Sequence, residues 1–271
     1  MIGHCPPLPM DDSSYETLDL LASHLQEANL PYWLDSGALL GIARDRRIQT
    51  WEKDIDLGME ISLLPRLENV LARLALHGVQ VSRSRYRGRV YAVGLRNGHR
   101  PASELLISIH LFSRQGDMLW SPQAQLYLPP PAPDVLAAPR SFAGRMLLRL
   151  VRLDRKRLRG KQASVRSQAN WLRLLRHWIN QQLDRAWLSQ TWPMREIYVA
   201  MTWVYPRNLI MPYGGLEWRE RRWPVPGRLD EYLSYRYGNW HSPRQEWWYW
   251  QDDGAILRTS PDKFHDNAPA S

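Results

Sequence analysis

Residues 36–58, SGALLGIARDRRIQTWEKDIDLG, restrict the fold more than any other part of the chain. The Ser36-Gly37 turn opens a short apolar helix over ALLGIARD, and a connection through Arg46 and Arg47 leads into the acidic strand WEKDIDLGM. Side chains alternate faces along a strand, so Glu52, Asp54 and Asp56 project from one side while Lys53 and Ile55 take the other. Three carboxylates on one face repel one another. Either water solvates them or a divalent cation lies among them.

The neighbouring sequence sets this stretch in a mixed α/β core. Residues 13–28 read as a helix, with Ser13 or Ser14 as its cap and Leu18, Leu21, Ala22, Leu25 and Ala28 as its apolar stripe. LPYWLDSG reads as a short strand ending in a turn. A further helix over 62–77 carries Leu63, Leu64, Leu67, Val70, Leu71 and Leu74 and stops at Gly78. VQVSRSRYRGRVYAVGLR and ELLISIHLF read as strands, with NGHRPA connecting the last two. The Pro-rich YLPPPAPDVLAAP, 127–139, ends this core or wraps its surface. The expected organisation is a core over 1–139, a basic helical segment over 140–190 and a Trp-rich C-terminal subdomain over 191–271, packed together as one structural domain.

Composition narrows the function classes. No apolar run approaches the roughly 18 residues of a bilayer span. The opening MIGHCPPLPMDDSS lacks the basic and apolar regions of a signal peptide, so the expected location is the cytoplasm. A single cysteine, Cys5, permits neither an intrachain disulfide nor a cysteine-based zinc site. The net charge of +9 favours an anionic partner. Much of it sits in 140–185, where thirteen Arg and Lys stand against two acids. That segment reads either as a solvated helix face or as a peripheral contact with an anionic membrane. Fourteen Trp against three Phe supply flat faces either for core packing or for a base, sugar or choline headgroup.

The chemistry converges on the opening stretch. Magnesium takes oxygen ligands, commonly one or two carboxylates completed by substrate phosphate. Asp54 and Asp56 supply such a pair, and the Ser36-Gly37 turn at a helix start offers backbone N–H groups and a hydroxyl to phosphate. A glycine-serine turn on a helix followed by an Asp-x-Asp strand makes the two halves of a nucleotidyltransferase arrangement.

The wider stretch GALLGIARD…WEKDIDLG resembles the signature of the LicD/fukutin family through Gly37, Leu39, Leu40, Gly41, Arg44, Trp51, Asp54, Ile55 and Asp56. PVPGRLDEYLSYRYGNWHSP, 224–243, resembles its closing motif through Pro226, Tyr232, Leu233, Tyr237, Gly238, Trp240 and Pro243, and YPRNLIMP precedes it. The resemblance implies an α/β (α+β) nucleotidyltransferase-like mixed sheet flanked by helices. It also implies a phosphotransferase that moves a phosphorylated alcohol, such as phosphocholine or a polyol phosphate, from a CDP-linked donor to a hydroxyl of a cell-surface glycan or lipopolysaccharide precursor, the acceptor being a glycan or a lipid-linked glycan. Mg²⁺ or Mn²⁺ is the implied cofactor, with Asp54 and Asp56 as ligands, Glu52 as a further one, and Ser36 and Gly37 cradling donor phosphate. Arg44 either neutralises phosphate or pairs with a core carboxylate.

One position departs from the family pattern. SIHLF places His110 where the family has another carboxylate, with Ser108 on the same face and Glu104 as a substitute acid. Imidazole suits a general base better than a magnesium ligand, and its alternative role is that of a satisfied strand histidine. Lys53 replaces an acid common in the family and points away from the ligand face. A nucleotidyltransferase moving NMP itself, and an inactive basic relative that binds membrane or nucleic acid, are the competing readings; nucleic acid is not the expected partner. Work at the inner face of the cytoplasmic membrane fits the leading one.

Overall fold

The computed structural model describes residues 12–49, 52, 54–86, 88–98, 106–126, 142, 198–244, 247 and 252–257. Trp51, Lys53, Glu104, Trp248, Trp250 and the Pro-rich stretch lie outside the described residues, as does the basic segment apart from residue 142. The chain divides into two compact units. The first, Met1–Arg83, Tyr91–Ser121 and Val204–Ile256, joins the N-terminal half to most of the C-terminal segment.

Helix α1, Asp12–Glu27, starts ahead of the serines expected to cap it and buries Leu18, Leu21, Ala22 and Leu25. It packs against α3, Leu64–Leu76, whose Leu67, Val70, Leu71 and Leu74 form the complementary buried stripe. Burying a side chain of this size contributes about 1.5–3 kcal/mol. The expected start of α3 at 62 is instead a 3₁₀ turn, Ile61–Leu63, with Pro65 in the first helical turn, where its missing N–H costs nothing. Gly78, at φ 79°, takes the left-handed conformation that reverses the chain into the next strand.

The main sheet is mixed. Strand β1, Trp33–Leu34, lies antiparallel to β2, Asp54–Glu60, with Trp33 opposite Gly58. The Trp33 ring covers Gly58 so closely that an added Cβ would fall 2.1 Å from its carbons, so only glycine fits there. Strand β5, Leu106–Gln115, runs parallel to β2 in a register that sets Asp56 opposite Ser108 and Gly58 opposite His110. On its other side β5 pairs antiparallel with β4, Arg89–Asn97, and β4 pairs with β3, Val79–Tyr86. Residues 79–97 thus form two strands that turn at Gly88. The sheet continues through β6, Met118–Leu126, and β7, Tyr198–Pro206. The second unit's described residues are chiefly stretches of β3, β4, β6 and β7.

After the short helix α4, Arg207–Ile210, a hairpin forms from β8, Gly214–Trp218, and β9, Arg221–Val225. Arg219 and Glu220 both have positive φ, the two-residue geometry that matches strand twist. Helix α5, Leu229–Tyr237, follows and ends at Gly238, φ 65°. Strand β10, Ile256–Leu257, ends the described chain. An aromatic chain ties these parts of the first unit together: Trp33 to Phe112 at 5.3 Å, Phe112 to Tyr205 at 5.0 Å, and Tyr205 to Tyr232 at 5.3 Å between ring centroids. Among the described residues no helix is long and apolar enough to cross a membrane.

Candidate active site

The site is built on the turn between β1 and α2, Ser36–Asp45. Asp35 is fully buried and caps the helix, its Oδ1 accepting from the Ser36 N–H at 2.6 Å. Its own N–H donates to the Asp56 carbonyl at 2.9 Å, which fastens the turn to β2. Ser36 has φ 54°, a left-handed backbone that a non-glycine residue adopts only when its surroundings enforce it.

Those surroundings come from the other end of the chain. Arg236 of α5 donates from Nη1 to Asp35 Oδ1 at 2.7 Å and to Ser36 Oγ at 3.1 Å. Its Nε and Nη2 grip Asp253, and Asp253 also accepts from the Ala255 N–H. The hydroxyls of Tyr232 and Tyr205 donate to Asp35. Arg236 is 2% exposed and both carboxylates 0%. Burial opposes the guanidinium's charge, but Asp253 and the surrounding tyrosines outweigh it, so its pKa stands well above the ordinary value. The Tyr232 and Tyr205 hydroxyls are pushed well up by burial and by Asp35.

Two glycines permit close approaches to α2. A Cβ on Gly37 would fall 2.2 Å from a Glu52 carboxylate oxygen, so Glu52 lies against the first turn, where a negative charge meets the helix dipole. A Cβ on Gly41 would fall 2.6 Å from the Arg47 carbonyl, so Gly41 lets the chain leaving α2 fold back along it. Arg46, φ 57°, makes that reversal and donates its N–H to the carbonyls of Gly41 and Ile42.

The acidic strand starts later than its alternation suggests. Strand β2 begins at Asp54, and Glu52 stands before it in a turn closed by its N–H on the Gln49 carbonyl. The common-face argument therefore holds for Asp54 and Asp56, whose neighbours Ile55 and Leu57 are buried. His110 Nε2 lies 3.0 Å from Asp56 Oδ1, with side chains 11% and 13% exposed. An ionised carboxylate only accepts, so this contact fixes the proton on Nε2 and leaves Nδ1 with the lone pair of the neutral ring. Burial lowers the imidazole's pKa, but the Asp56 bond and the charges of Asp56, Asp35 and Asp54 raise it above the ordinary value.

Arg44 reaches carboxylate rather than open space. Its Nε and Nη2 contact Asp45 Oδ2 at 3.0 and 2.9 Å, and Nη1 lies 3.5 Å from the Trp240 carbonyl. Trp240 stacks on His241 at 3.9 Å and donates from Nε1 to Asp230; Trp247 packs on Tyr237 at 5.1 Å. The structure thus brings Ser36, Gly37 and Glu52 together at one turn, and Asp56 and His110 together beside it. Asp35, Arg236 and Asp253 escaped the sequence reading. The isolated acid in LDSG, directly before the turn, was a usable signal for Asp35; the other two carry no local signature.

The donor set at β2 fits a hard divalent cation. Among the described residues no group of three or more His, Cys, Asp or Glu is arranged to hold a metal. Two carboxylates on one strand face are what magnesium commonly takes from protein, with substrate phosphate and water completing the shell. Asp56 Oδ2 and the Asp54 carboxylate are the oxygens that could take that role.

A mixed sheet with flanking helices, an Asp-x-Asp strand and a helix-opening turn beside it define an α/β domain of the nucleotidyltransferase type. Residues 29–124 match LicD/FKTN/FKRP, nucleotidyltransferase domain. That stretch, about a third of the chain, is therefore similar to the nucleotidyltransferase domain of the LicD/fukutin family. No curated protein matches the sequence. Two solved structures are similar over part of the fold. The crystal structure of ANT(2'')-Ia in complex with adenylyl-2''-tobramycin aligns at 20% identity and TM-score 0.30, covering 40% of this chain and 54% of that one. The solution structure of the antibiotic-resistance factor ANT(2'')-Ia aligns at 22% identity and TM-score 0.31, covering 41% and 52%. The match spans about half the length of each.

Proposed function

We propose that this protein is a metal-dependent phosphotransferase that moves a phosphorylated alcohol from a CDP-linked donor to a hydroxyl of a cell-envelope glycan or its lipid-linked precursor. The observation that carries the reading is the 3.0 Å pairing of His110 with Asp56, which couples a candidate base to a candidate metal ligand beside the α2 turn. Asp54 and Asp56 would hold Mg²⁺ or Mn²⁺, and Glu52 is a further candidate ligand. When bound, such an ion neutralises charge on the donor's phosphate oxygens.

In this reading the first-turn N–H groups around Gly37 and the Ser36 hydroxyl bind donor phosphate. The acceptor oxygen bonds to the headgroup phosphorus as the bond to the bridging oxygen breaks and CMP leaves. The hydroxyl proton passes to His110 Nδ1, while Asp56 holds the ring's orientation through Nε2. Arg44, which contacts Asp45 in this structure, stands as a further candidate for donor phosphate. By its charge, the basic segment 140–185 suits contact with an anionic membrane surface.

The test is a screen of CDP-choline, CDP-ethanolamine, CDP-glycerol and CDP-ribitol with Mg²⁺ or Mn²⁺, following CMP release in the presence of glycan acceptors. Metal-dependent CMP release from one donor supports the reading. Transfer of the nucleotide itself to the acceptor would replace it with NMP transfer, and an inert protein that binds anionic vesicles or RNA without metal would replace it with a binding role.

A further inference from the structure

Ser36 holds a left-handed backbone, φ 54°, at the first position of α2, in a buried site. A serine gains nothing intrinsic from that conformation, and left alone it would relax toward negative φ. Two groups hold it: the Asp35 carboxylate accepts from its N–H at 2.6 Å, and Arg236 Nη1 donates to its Oγ at 3.1 Å. The same Nη1 holds Asp35 at 2.7 Å, so one guanidinium nitrogen braces both residues of the turn. Asp253 clamps the opposite side of the guanidinium, and Gly254 N–H bonds the Arg236 carbonyl at 3.0 Å, so Arg236 is itself fixed from behind. By accepting from Arg236, the Ser36 hydroxyl keeps its own proton for another acceptor.

We infer that Arg236 is a positioning residue for the phosphate-binding turn: delivered from α5, far outside the matched 29–124 domain, it sets Ser36 and the first amides of α2 for donor phosphate without touching the donor. The inference rests on the reading given under Proposed function and adds to it that the C-terminal segment is part of the donor site. A structural role alone would lower thermal stability and leave donor affinity intact in the folded protein. Positioning lowers affinity below the melting temperature as well.

The experiment measures CDP affinity with Mn²⁺ by calorimetry, alongside near-UV circular dichroism and melting temperature, for the full chain and for Arg236→Lys. Lysine keeps the charge but cannot brace Asp35, Ser36 and Asp253 together. A loss of CDP affinity of about tenfold or more in a folded variant is the expected result. Affinity within roughly twofold of the parent, with a lowered melting temperature, overturns the inference. Should Arg236→Lys not fold, Asp253→Asn carries the test, because it loosens the guanidinium from behind and leaves the turn's own residues in place. A loss of roughly threefold or more supports positioning, and unchanged affinity overturns it. Should the parent bind no CDP, the reading under Proposed function fails separately. Amide exchange over residues 36–40 then decides: faster exchange in whichever variant folds, with α3 unaffected, supports positioning, and unchanged exchange overturns it.

Discussion

Replacing Arg236 by Met removes the cation between two buried carboxylates while keeping most of the side chain's apolar volume. Asp35 retains its bonds from the Ser36 N–H and two tyrosine hydroxyls, and Asp253 its bond from Ala255, so neither carboxylate loses every donor. What each loses is charge compensation at essentially zero exposure. Breaking a buried pair of this kind by removing one partner costs about 3–5 kcal/mol. In a cooperative unit of this size each kcal/mol moves the midpoint by about 2–4 °C, so the expected drop in melting temperature is on the order of 10 °C. Denaturant and thermal melts measure it. The control is the triple variant Asp35→Asn, Arg236→Met, Asp253→Asn, which neutralises the cluster in nearly the same shape and should recover part of the loss. A drop below about 2 °C in Arg236→Met, or a triple variant no more stable than the single one, would refute the argument that buried charge sets the cost.

Three further outcomes follow from named contacts. Gly41→Ala places a Cβ 2.6 Å from the Arg47 carbonyl, so the chain leaving α2 must shift, at a cost of about 1–3 kcal/mol in urea unfolding. The His110–Asp56 pair raises the imidazole's pKa, so its stabilisation is fully present below the unfolded histidine's pKa and is lost as pH rises through the folded one. In metal-free buffer the stability gap between the parent and His110→Ala should therefore be wider at pH 6 than at pH 9, and an equal gap counts against the pairing. Glu52→Gln separates two roles: loss of the dipole contact at Gly37 lowers stability by about 0.3–1 kcal/mol, whereas a weaker Mn²⁺ affinity by calorimetry shows metal ligation as well.

The part of the site legible in the sequence is the part made by short-range periodicity. Alternation along DIDLG places Asp54 and Asp56 on one face, and SIHLF places His110 where a parallel strand sets it beside Asp56. Helical spacing likewise gives the buried stripes of α1 and α3. Alternation failed at Glu52 because it carries no information about where a strand begins, and the Gln49 turn intervenes. Arg236 was illegible for a different reason. In SYRYG it looks like any surface helix arginine, and its partners Asp35 and Ser36 are about 200 positions away, so nothing short of the tertiary fold assigns it to the turn. The paired glycines of GALLG were visible, but what they make room for, Glu52 and the Arg47 carbonyl, was not.

The proposed reaction depends on Asp54 and Asp56 holding a metal for transfer from a CDP-linked donor. Its most direct test is the rate of Mn²⁺- or Mg²⁺-dependent CMP release by the parent, Asp54→Asn and Asp56→Asn, with circular dichroism to show that all three are folded. Release in both folded variants should fall by about a thousandfold or more. Full activity in both would contradict it.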